Sequence, residues 1–288
     1  MDNKENVLIV GSGGREHSIG WKISQSPRVN KIYYAPGNGG TFENINIGQN
    51  DFEKIASYAK NNSCLTIVGP EEPLSLGIVD FFNQEKLRIF GPTRTAAKLE
   101  SSKIFAKEFM NKHGIQTARY QSFDNADQAK EYVSGTDGHL VVKADGLASG
   151  KGVFVCDTHV DVIRAIDKIM INKEFGKSGE KIVIEEKITG EEISFIGISD
   201  GNTILPLATS QDHKRAFDDD KGPNTGGMGS YSPAPIVDEI LQSKIMDKIM
   251  IPTIRHMKYD NNPFKGFLYA GLMINKETRE PYVLEYNI

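Results

Sequence analysis

Cysteine is scarce in this chain, which has two, Cys64 and Cys156, among 288 residues. Both lie in apolar, strand-like runs, so we expect buried, reduced thiols and neither a disulfide nor a metal site. No apolar run approaches the ~18 residues of a membrane-spanning helix. The opening "MDNKENVLIV" also lacks the basic and apolar regions of a signal peptide. These absences predict a cytoplasmic protein.

An excess of basic residues is absent as well. The 34 Lys and Arg residues are outnumbered by 38 Asp and Glu residues, giving a formal net charge of -4. Duplex nucleic acid is therefore a poor candidate partner, because a nucleic-acid-binding surface needs a basic excess. We expect neither a nucleic acid nor a membrane partner, and any anionic ligand must be held by local clusters of cations.

Residues 1 to about 92 alternate between short apolar strands and amphipathic helices. A glycine or proline follows each of the predicted strands, "VLIV", "KIYYAPGN", "CLTIVGP" and "RIFGP". Such alternation is typical of right-handed crossovers between parallel strands. The pattern predicts an α/β domain with an open parallel sheet.

From about residue 117 the strands follow one another more closely, which is an α+β pattern with antiparallel pairing. One helical segment, "VDVIRAIDKIMIN", lies among these strands. A glycine-rich stretch over 221–235 interrupts them and is too long for a simple linker, so we predict a functional loop. A helix over about 236–258 and two further strands complete the pattern.

The stretch "VGSGGREH" follows the first strand and opens a helix, as a dinucleotide-binding loop does. Gly11 and Gly13 fit the G-x-G-x-x-G fingerprint, but its sixth position is Glu16, and the second strand ends without the ribose-binding acid. Two interpretations remain: an anion site formed by backbone N–H groups with Arg15 nearby, or a tight turn only.

A second polar segment, "GPEEPLSLG", follows the third strand at the sheet edge where ligands bind in such folds. Glu71 and Glu72 could cap the next helix through its dipole. They could equally grip a cationic amine or ribose hydroxyls, and the sequence alone does not separate these roles.

A third glycine segment, "KADGLASGKGV", resembles a P-loop but departs from G-x-x-x-x-G-K-[ST]. Gly146 and Gly150 are one residue too close, and Gly152 stands where a hydroxyl should follow Lys151. The segment joins two strands, which favours a flexible flap that folds over a triphosphate, with Lys143 holding phosphate from the strand. An ordinary hairpin with an exposed lysine is the alternative.

Together these segments resemble the phosphoribosylamine–glycine ligases, or glycinamide ribonucleotide synthetases, which are ATP-grasp enzymes of purine biosynthesis. The resemblance runs from Val7 to the last residue, and "SQDHKR" followed by "GPNTGGMG" is its most specific part. It implies a Rossmann-like N-terminal domain over 1–92 and an ATP-grasp domain over 93–288, with a lid subdomain at about 120–190. The fold class is thus α/β plus α+β.

The resemblance also implies a reaction and its cofactors. Glycine is joined to 5-phosphoribosylamine through a glycyl phosphate, and ATP is converted to ADP and phosphate. ATP and Mg2+, or Mn2+ in its place, are the implied cofactors, because a carboxylate and a triphosphate must meet. The expected partners are these small molecules, and we expect a monomer.

Site residues follow from the same resemblance. The ATP site comprises Lys103, Lys143, Ser149, Gly150, Lys151, Glu185, Glu186, Lys187, Ile188 and Glu192, with adenine at 186–188 and ribose at Glu192. The catalytic group comprises Asp212, Lys214 and Arg215, while His213 has either a structural or an acid–base role. The substrate site comprises Gly11, Gly13, Gly14, Arg15, Pro70, Glu71, Asn224, Gly226 and Gly227.

The proposed metal ligands are Glu285 and Asn287 in "VLEYN". They are two apart on a predicted strand, so both side chains point to one face. Paired oxygen donors of this kind suit Mg2+.

In the family, a stretch "R-F-G-D-P-E", more helix and a further domain follow this motif, and we expect the corresponding part to be lacking here. Three alternatives stay open for the function. They are another ATP-grasp ligase or carboxylase, a nicotinamide-dependent oxidoreductase, and an inactive nucleotide-binding fragment.

Overall fold

The structure is a computed structural model that describes residues 4–148, 151–218 and 221–288, and for residues 223 and 224 the backbone alone. It divides into two compact units. One comprises Met1–Ala97 with Asn261–Gly266 and Ile288, and the other comprises Lys98–Asp260 with Phe267–Asn287. We refer to them as the smaller and the larger unit.

The smaller unit contains a parallel sheet flanked by helices. Its strands are β1 (Glu5–Gly11), β2 (Val29–Pro36), β3 (Cys64–Val68) and β4 (Ile89–Phe90), and its helices are α1 (Gly14–Ser24), α2 (Phe52–Asn61), α3 (Glu71–Leu76) and α4 (Ile78–Gln84). The strands lie in the order β2-β1-β3-β4 with parallel pairing, which confirms the predicted sheet. The loops after β1 and β3 meet at its carboxyl edge.

The larger unit begins with two helices and a four-stranded antiparallel sheet. Its first elements are α5 (Lys98–Ser101), α6 (Lys103–Lys112), β5 (Tyr120–Phe123), α7 (Ala126–Ser134), β6 (Leu140–Ala144), β7 (Val153–Cys156), α8 (His159–Ile166) and β8 (Ile182–Glu186). The strand order is β5-β8-β6-β7, and apolar residues of α7 and α8 form a buried core with β6 and β8. This confirms the antiparallel pairing that the sequence predicts.

A second sheet in the larger unit has the order β10-β9-β15-β16. The remaining elements are β9 (Glu191–Asp200), β10 (Ile204–Pro206), β11 (Gln211–Asp212), β12 (Arg215–Phe217), β13 (Lys221–Asn224), β14 (Ser230–Tyr231), α9 (Glu239–Ile245), α10 (Ile251–Tyr259), β15 (Lys265–Ile274) and β16 (Pro281–Asn287). A π-helical turn, Met246–Met250, joins α9 to α10.

Candidate active site

The loop that follows β6 is tied to the first turn of α6. Asp145 accepts hydrogen bonds from the Ser102 hydroxyl at 3.1 Å and from the Ile104 N–H at 3.0 Å. Lys103 Nζ donates to the Gly146 carbonyl at 3.0 Å. A carboxylate at a helix N-terminus is favoured by the helix dipole as well as by these bonds. The two segments that carry the predicted phosphate lysines are thereby joined.

The flap segment lies between β6 and β7, two strands that pair antiparallel with Lys143 opposite Val153. Lys151 is exposed, and its N–H donates to the Ala148 carbonyl at 2.9 Å. Ser149 and Gly150 lie outside the described residues. A loop joining two strands is the arrangement expected of a flap, and its role over a triphosphate stays a prediction.

Lys143 is buried at the end of β6, where it contacts Glu185 of β8. Its Nζ forms an ion pair with one carboxylate oxygen of Glu185, and Lys107 of α6 forms an ion pair with the other. Burial alone would raise the pKa of Glu185, but the two ammonium groups outweigh it and hold that pKa below its usual value. Glu185 is therefore a buried anion between two cations.

Two of the three residues after Glu185 form hydrogen bonds or ion pairs with other side chains. Glu186 accepts hydrogen bonds from the Arg119 side chain at 2.8 Å and from the Arg119 N–H at 3.1 Å. Lys187 Nζ lies 2.5 Å from Asp157 Oδ1, and Ile188 is half-buried. Their position beside β8 is compatible with an adenine site, which stays a prediction.

Lys214 lies beside Glu192 of β9, with its Nζ 2.6 Å from the Glu192 carboxylate. Partial burial lowers the pKa of Lys214, but Glu192 and, to a lesser extent, Tyr269 and Glu285 raise it above its ordinary value. Burial raises the pKa of Tyr269, whose hydroxyl lies 3.1 Å from the Ser194 hydroxyl. Lys214 is thus a fixed cation beside a carboxylate.

The predicted metal ligands both lie on β16, on one half-buried face, while Tyr286 between them is buried. Burial lowers the pKa of Lys103, Lys143 lowers it further, and Glu285 opposes both effects. Glu285 thus lies close enough to Lys103 and Lys214 to alter the pKa of each. In the orientation that satisfies its neighbours, the Asn287 amide nitrogen lies 3.1 Å from Glu100 Oε1.

These donors fit Mg2+ in chemistry and in number. Among the described residues, no group of three or more His, Cys, Asp or Glu side chains is placed to hold a metal. Magnesium usually binds proteins through one or two carboxylates and completes its octahedron with water and substrate phosphates. Glu285 and Asn287, with Glu100 beside them, suit that pattern.

The segment "QDHKR" and the glycine-rich segment after it fold back on each other. β11 pairs with β14 and β12 pairs with β13, both antiparallel. Between these pairs, the His213 N–H donates to the Gly229 carbonyl at 2.9 Å. We call residues 211–231 the glycine hairpin. Residues 219 and 220 and the side chains of residues 223 and 224 lie outside the described part of the structure.

Within the glycine hairpin, four of the predicted residues lie in two pairs, Asp212 with Gly227 and Arg215 with Asn224. A Cβ at Gly227 would lie 2.9 Å from Asp212 Oδ1, so the carboxylate packs closely on that backbone. The Arg215 guanidinium donates to the Gly222 carbonyl at 3.1 Å, and Arg215 lies opposite Asn224 in the register. The side chain of Asn224 lies outside the described residues, and Gly226 is exposed.

In the smaller unit, the loops after β1 and β3 hold the other predicted group. Arg15 donates to Glu71 at 2.7 Å, and although burial alone would raise the pKa of Glu71, this bond keeps it below its ordinary value. Gly11, Gly13 and Gly14 form the turn into α1, and Gly11 has a φ of 122°. Pro70 and Glu71 begin α3.

Glu16 is a feature of this loop whose packing the sequence does not reveal. Its side chain is 3% exposed and one carboxylate oxygen accepts from the Gly13 N–H. A Cβ at Gly11 would lie 2.7 Å from the Glu16 Cδ atom, and Gly69 lies against the same carboxylate. Glu16 thus fills the space that the third glycine of a dinucleotide fingerprint leaves open.

Several residues that contact or neighbour the predicted site residues of the larger unit were not singled out from the sequence. They are Glu100, Lys107, Asp145 and Tyr269. A signal existed for two of them: Lys107 shares the buried face of α6 with Ala106 and Met110, and Asp145 directly follows the β6 strand of Lys143. A lysine on an otherwise apolar helix face indicates a buried charge partner.

Two domain profiles of one family match the chain. The phosphoribosylglycinamide synthetase N domain matches residues 5–100, and the ATP-grasp (A) domain of the same synthetase matches residues 101–288. The chain belongs to the phosphoribosylglycinamide synthetase family. The resemblance drawn from the sequence motifs is thereby confirmed.

Individual members of the synthetase family agree with this assignment. A phosphoribosylamine–glycine ligase of Ralstonia nicotianae is 52% identical over 287 residues, covering 98% of this chain and 67% of that protein. The crystal structure of a phosphoribosylamine–glycine ligase from Thermotoga maritima is 33% identical, with a TM-score of 0.84, over 98% of this chain and 68% of that one. The chain thus spans about two thirds of the length of these relatives.

A more distant likeness concerns the fold alone. The biotin carboxylase domain of a Hydrogenobacter thermophilus 2-oxoglutarate carboxylase, solved with MgADP, ADP and bicarbonate, has a TM-score of 0.72 at 14% identity. It covers all of this chain and 64% of that one. The fold prediction, a Rossmann-like domain followed by an ATP-grasp domain, is confirmed by these matches together.

Within residues 4–148, 151–218 and 221–288, no helix has both the length and the apolar character that a membrane span requires.

Proposed function

We propose that this chain is an ATP-dependent carbon–nitrogen ligase that joins glycine to 5-phosphoribosylamine. The products are glycinamide ribonucleotide, ADP and phosphate, and the reaction belongs to purine biosynthesis. The observation that carries the proposal is the 52% identity to a phosphoribosylamine–glycine ligase over 98% of this chain. Both domain profiles of the synthetase support it independently.

The first chemical step joins two anions. A glycine carboxylate oxygen attacks the γ-phosphorus of ATP, the bond to the bridging oxygen breaks, and ADP leaves from glycyl phosphate. Fixed cations must offset the repulsion and the charge that develops on the phosphoryl oxygens. Lys103, Lys143 and Lys151 serve this purpose on the phosphates.

The metal has a defined place in this scheme. Bound Mg2+, or Mn2+ in its place, would neutralise phosphate charge and polarise the γ-phosphoryl group. Glu285 and Asn287 would hold it, because a carboxylate and an amide oxygen on one strand face are suitable hard ligands. Glu100 lies beside Asn287 and orients its amide.

The glycine hairpin supplies the groups for the amino acid. Lys214 and Arg215 stabilise the carboxylate and the departing phosphate, and Asp212 orients the loop or the amine. Gly226, Gly227 and the Asn224 segment offer backbone N–H groups to the substrates. Glu192 receives the ribose hydroxyls of ATP while it holds Lys214 in place.

The second step uses the sugar amine as nucleophile. Its nitrogen attacks the carbonyl carbon of glycyl phosphate, the carbon–oxygen bond to phosphate breaks, and the nitrogen loses a proton. The glycine loop Gly11–Gly14 with Arg15 is suited to the 5-phosphate, because it opens a helix N-terminus. Pro70 and Glu71 complete this substrate group, and the flap would exclude water from the acyl phosphate.

The cellular setting completes the proposal. Cys64 and Cys156 are both free and buried, as expected of a reducing compartment, and this supports a cytoplasmic location. We expect the chain to act as a monomer on small molecules, without a nucleic acid or membrane partner.

Product analysis tests the proposal directly. The purified chain is given ATP, Mg2+, glycine and freshly prepared 5-phosphoribosylamine, with bicarbonate as a competing acid in a parallel reaction. We expect phosphate release that requires both substrates, and a product with the mass of glycinamide ribonucleotide. A carboxylated product, or phosphate release that is independent of glycine, would overturn the assignment.

A further inference from the structure

A buried triad of charged side chains lies in the larger unit. Lys107, Lys143 and Glu185 have side chains that are 2%, 6% and 2% exposed, and both ammonium groups contact the one carboxylate. The triad carries a net positive charge. Burying charges is costly, and apolar side chains of the same volume are often at least as stabilising. Stability alone is therefore a poor explanation of the triad.

Both lysines of the triad are also tied to neighbouring carbonyl groups of β16. Lys143 Nζ donates to the Leu284 carbonyl at 2.9 Å. Lys107 Nζ donates to the Thr117 hydroxyl at 2.7 Å, which in turn donates to the Val283 carbonyl at 2.6 Å. The triad is thus attached to the strand that carries Glu285.

The point of attachment is a β-bulge. Glu285 lies opposite Gly271 and Val283 lies opposite Leu272, so Leu284 is left without a partner in the ladder. An extra residue of this kind reverses the alternation of side chains beyond it. Val283 is fully buried, whereas Glu285 is half-buried. The bulge therefore sets the face on which Glu285 and Asn287 lie. Lys143 Nζ donates to the carbonyl of Leu284, the residue that the bulge leaves without a ladder partner.

We propose that Lys107 is a positioning residue for nucleotide binding that acts through Glu185 on Lys143. The inference rests on the proposed function, in which Lys143 binds phosphate and Glu285 binds the metal. With Lys107 present, the Glu185 carboxylate is shared between two cations, and the triad keeps a positive charge for the phosphates. Without it, Lys143 and Glu185 form a neutral pair, and Lys143 is held closer to that carboxylate.

A double-mutant cycle on MgATP affinity tests this role. Calorimetry compares the wild-type chain with Lys107→Met, Lys143→Met and the double variant. We expect Lys107→Met to weaken MgATP binding about tenfold, in the range of a charged hydrogen bond. Since Lys107 acts through Lys143, the double variant should bind no more weakly than Lys143→Met alone. Lys107→Arg should restore most of the affinity.

A matched control and a second variant keep the test decisive. Lys112→Met removes an exposed lysine from the same helix, one paired with Asp260 at 2.8 Å, and should leave MgATP affinity unchanged. If Lys107→Met does not fold, Lys107→Gln replaces it in the cycle, because it removes the charge but keeps a hydrogen-bond donor for the Thr117 hydroxyl.

Three outcomes would overturn the role of Lys107. Additive losses in the double variant would mean that Lys107 acts independently of Lys143. An affinity equal to that of Lys112→Met would mean that it has no effect on the nucleotide. A wild-type chain that binds no MgATP would remove the proposed function as well, whereas the first two outcomes leave that function intact.

Discussion

At the residue scale, Glu192 holds Lys214 by a bond of 2.6 Å and raises its pKa despite partial burial. Glu192→Gln removes the charge but keeps the shape. We expect kcat/KM for ATP to fall by about tenfold to a hundredfold, since charge-assisted hydrogen bonds to the lysine and the ribose are both weakened. Steady-state kinetics with varied ATP measures this.

The neighbouring residue offers the control for that variant. Glu191 on the same strand accepts a hydrogen bond from Gln211 at 3.0 Å and has no part in the proposed nucleotide site. Glu191→Gln should therefore retain its kcat/KM within about threefold of the wild type. Equal losses in the two variants would count against the assignment of Glu192.

Lys107 allows a prediction on pH. Burial, with Lys143 nearby, outweighs Glu185 and lowers the pKa of Lys107 to about 8. Between about pH 8 and the ordinary lysine value of about 10.4, the unfolded chain binds more protons than the folded chain, so stability rises with pH. Relative to Lys107→Met, we expect the unfolding free energy to gain up to about 3 kcal/mol across this window.

Urea unfolding at several pH values measures that gain. The difference between the wild type and Lys107→Met isolates the triad, because groups remote from Lys107 titrate alike in both proteins. A difference that is flat between pH 8 and 10.5, or that falls, would show that the Lys107 ammonium group is not destabilised by its surroundings.

At the element scale, the glycine hairpin depends on a backbone conformation at Gly227. Its φ is 112° and a Cβ would lie 2.9 Å from Asp212 Oδ1, whereas a Cβ at Gly226 would meet no atom within 4 Å. Gly227→Ala should lower kcat/KM for glycine about tenfold, because alanine at this φ strains the loop by about 1–2 kcal/mol. Gly226→Ala keeps its N–H and should cost much less.

Stability separates that loop effect from misfolding. The residues around Gly227 are exposed, so the midpoint of urea unfolding should change little in either variant. A large fall in stability for Gly227→Ala, or equal kinetic losses in the two variants, would refute the local account.

Whether an element of this chain can be predicted from sequence depends on how far apart along the chain its stabilising contacts lie. Continuous apolar runs such as Val7–Val10, each closed by glycine or proline, were sufficient to predict the parallel sheet. Helix α7 was missed, because only Ala129 and Val133 are buried on it and Asn125 caps it locally. The sequence shows the Asn125 cap, but two buried apolar positions give only a weak helical periodicity.

The site divides in the same way. The glycine loops and the Glu285–Asn287 pair of "LEYN" can be identified from their local residue composition. The pairing of Lys107 with Glu185 joins residues 78 positions apart, and the bulge at Leu284 depends on pairing with a neighbouring strand, so no local pattern specifies either feature. The sequence therefore located the loops. The buried charge pairing, and the face of β16 on which Glu285 lies, are set by tertiary contacts.

At the scale of the whole molecule, the predicted site residues fall into two groups, one in each unit. Hydrogen exchange with mass spectrometry can map each ligand separately, because binding slows local opening where contacts form. We expect MgATP to protect 98–112, 140–153, 182–192 and 265–287. Ribose 5-phosphate, a stable analogue of the amine substrate, should protect 11–15 and 69–72.

The two footprints should also differ in their response to one variant. Lys143→Met should weaken protection by MgATP at a sub-saturating nucleotide concentration and leave protection by ribose 5-phosphate unchanged, since the loops after β1 and β3 do not contain that lysine. Protection of the loop Gly11–Gly14 by MgATP alone would contradict this division, and would indicate that the nucleotide binds at the parallel sheet.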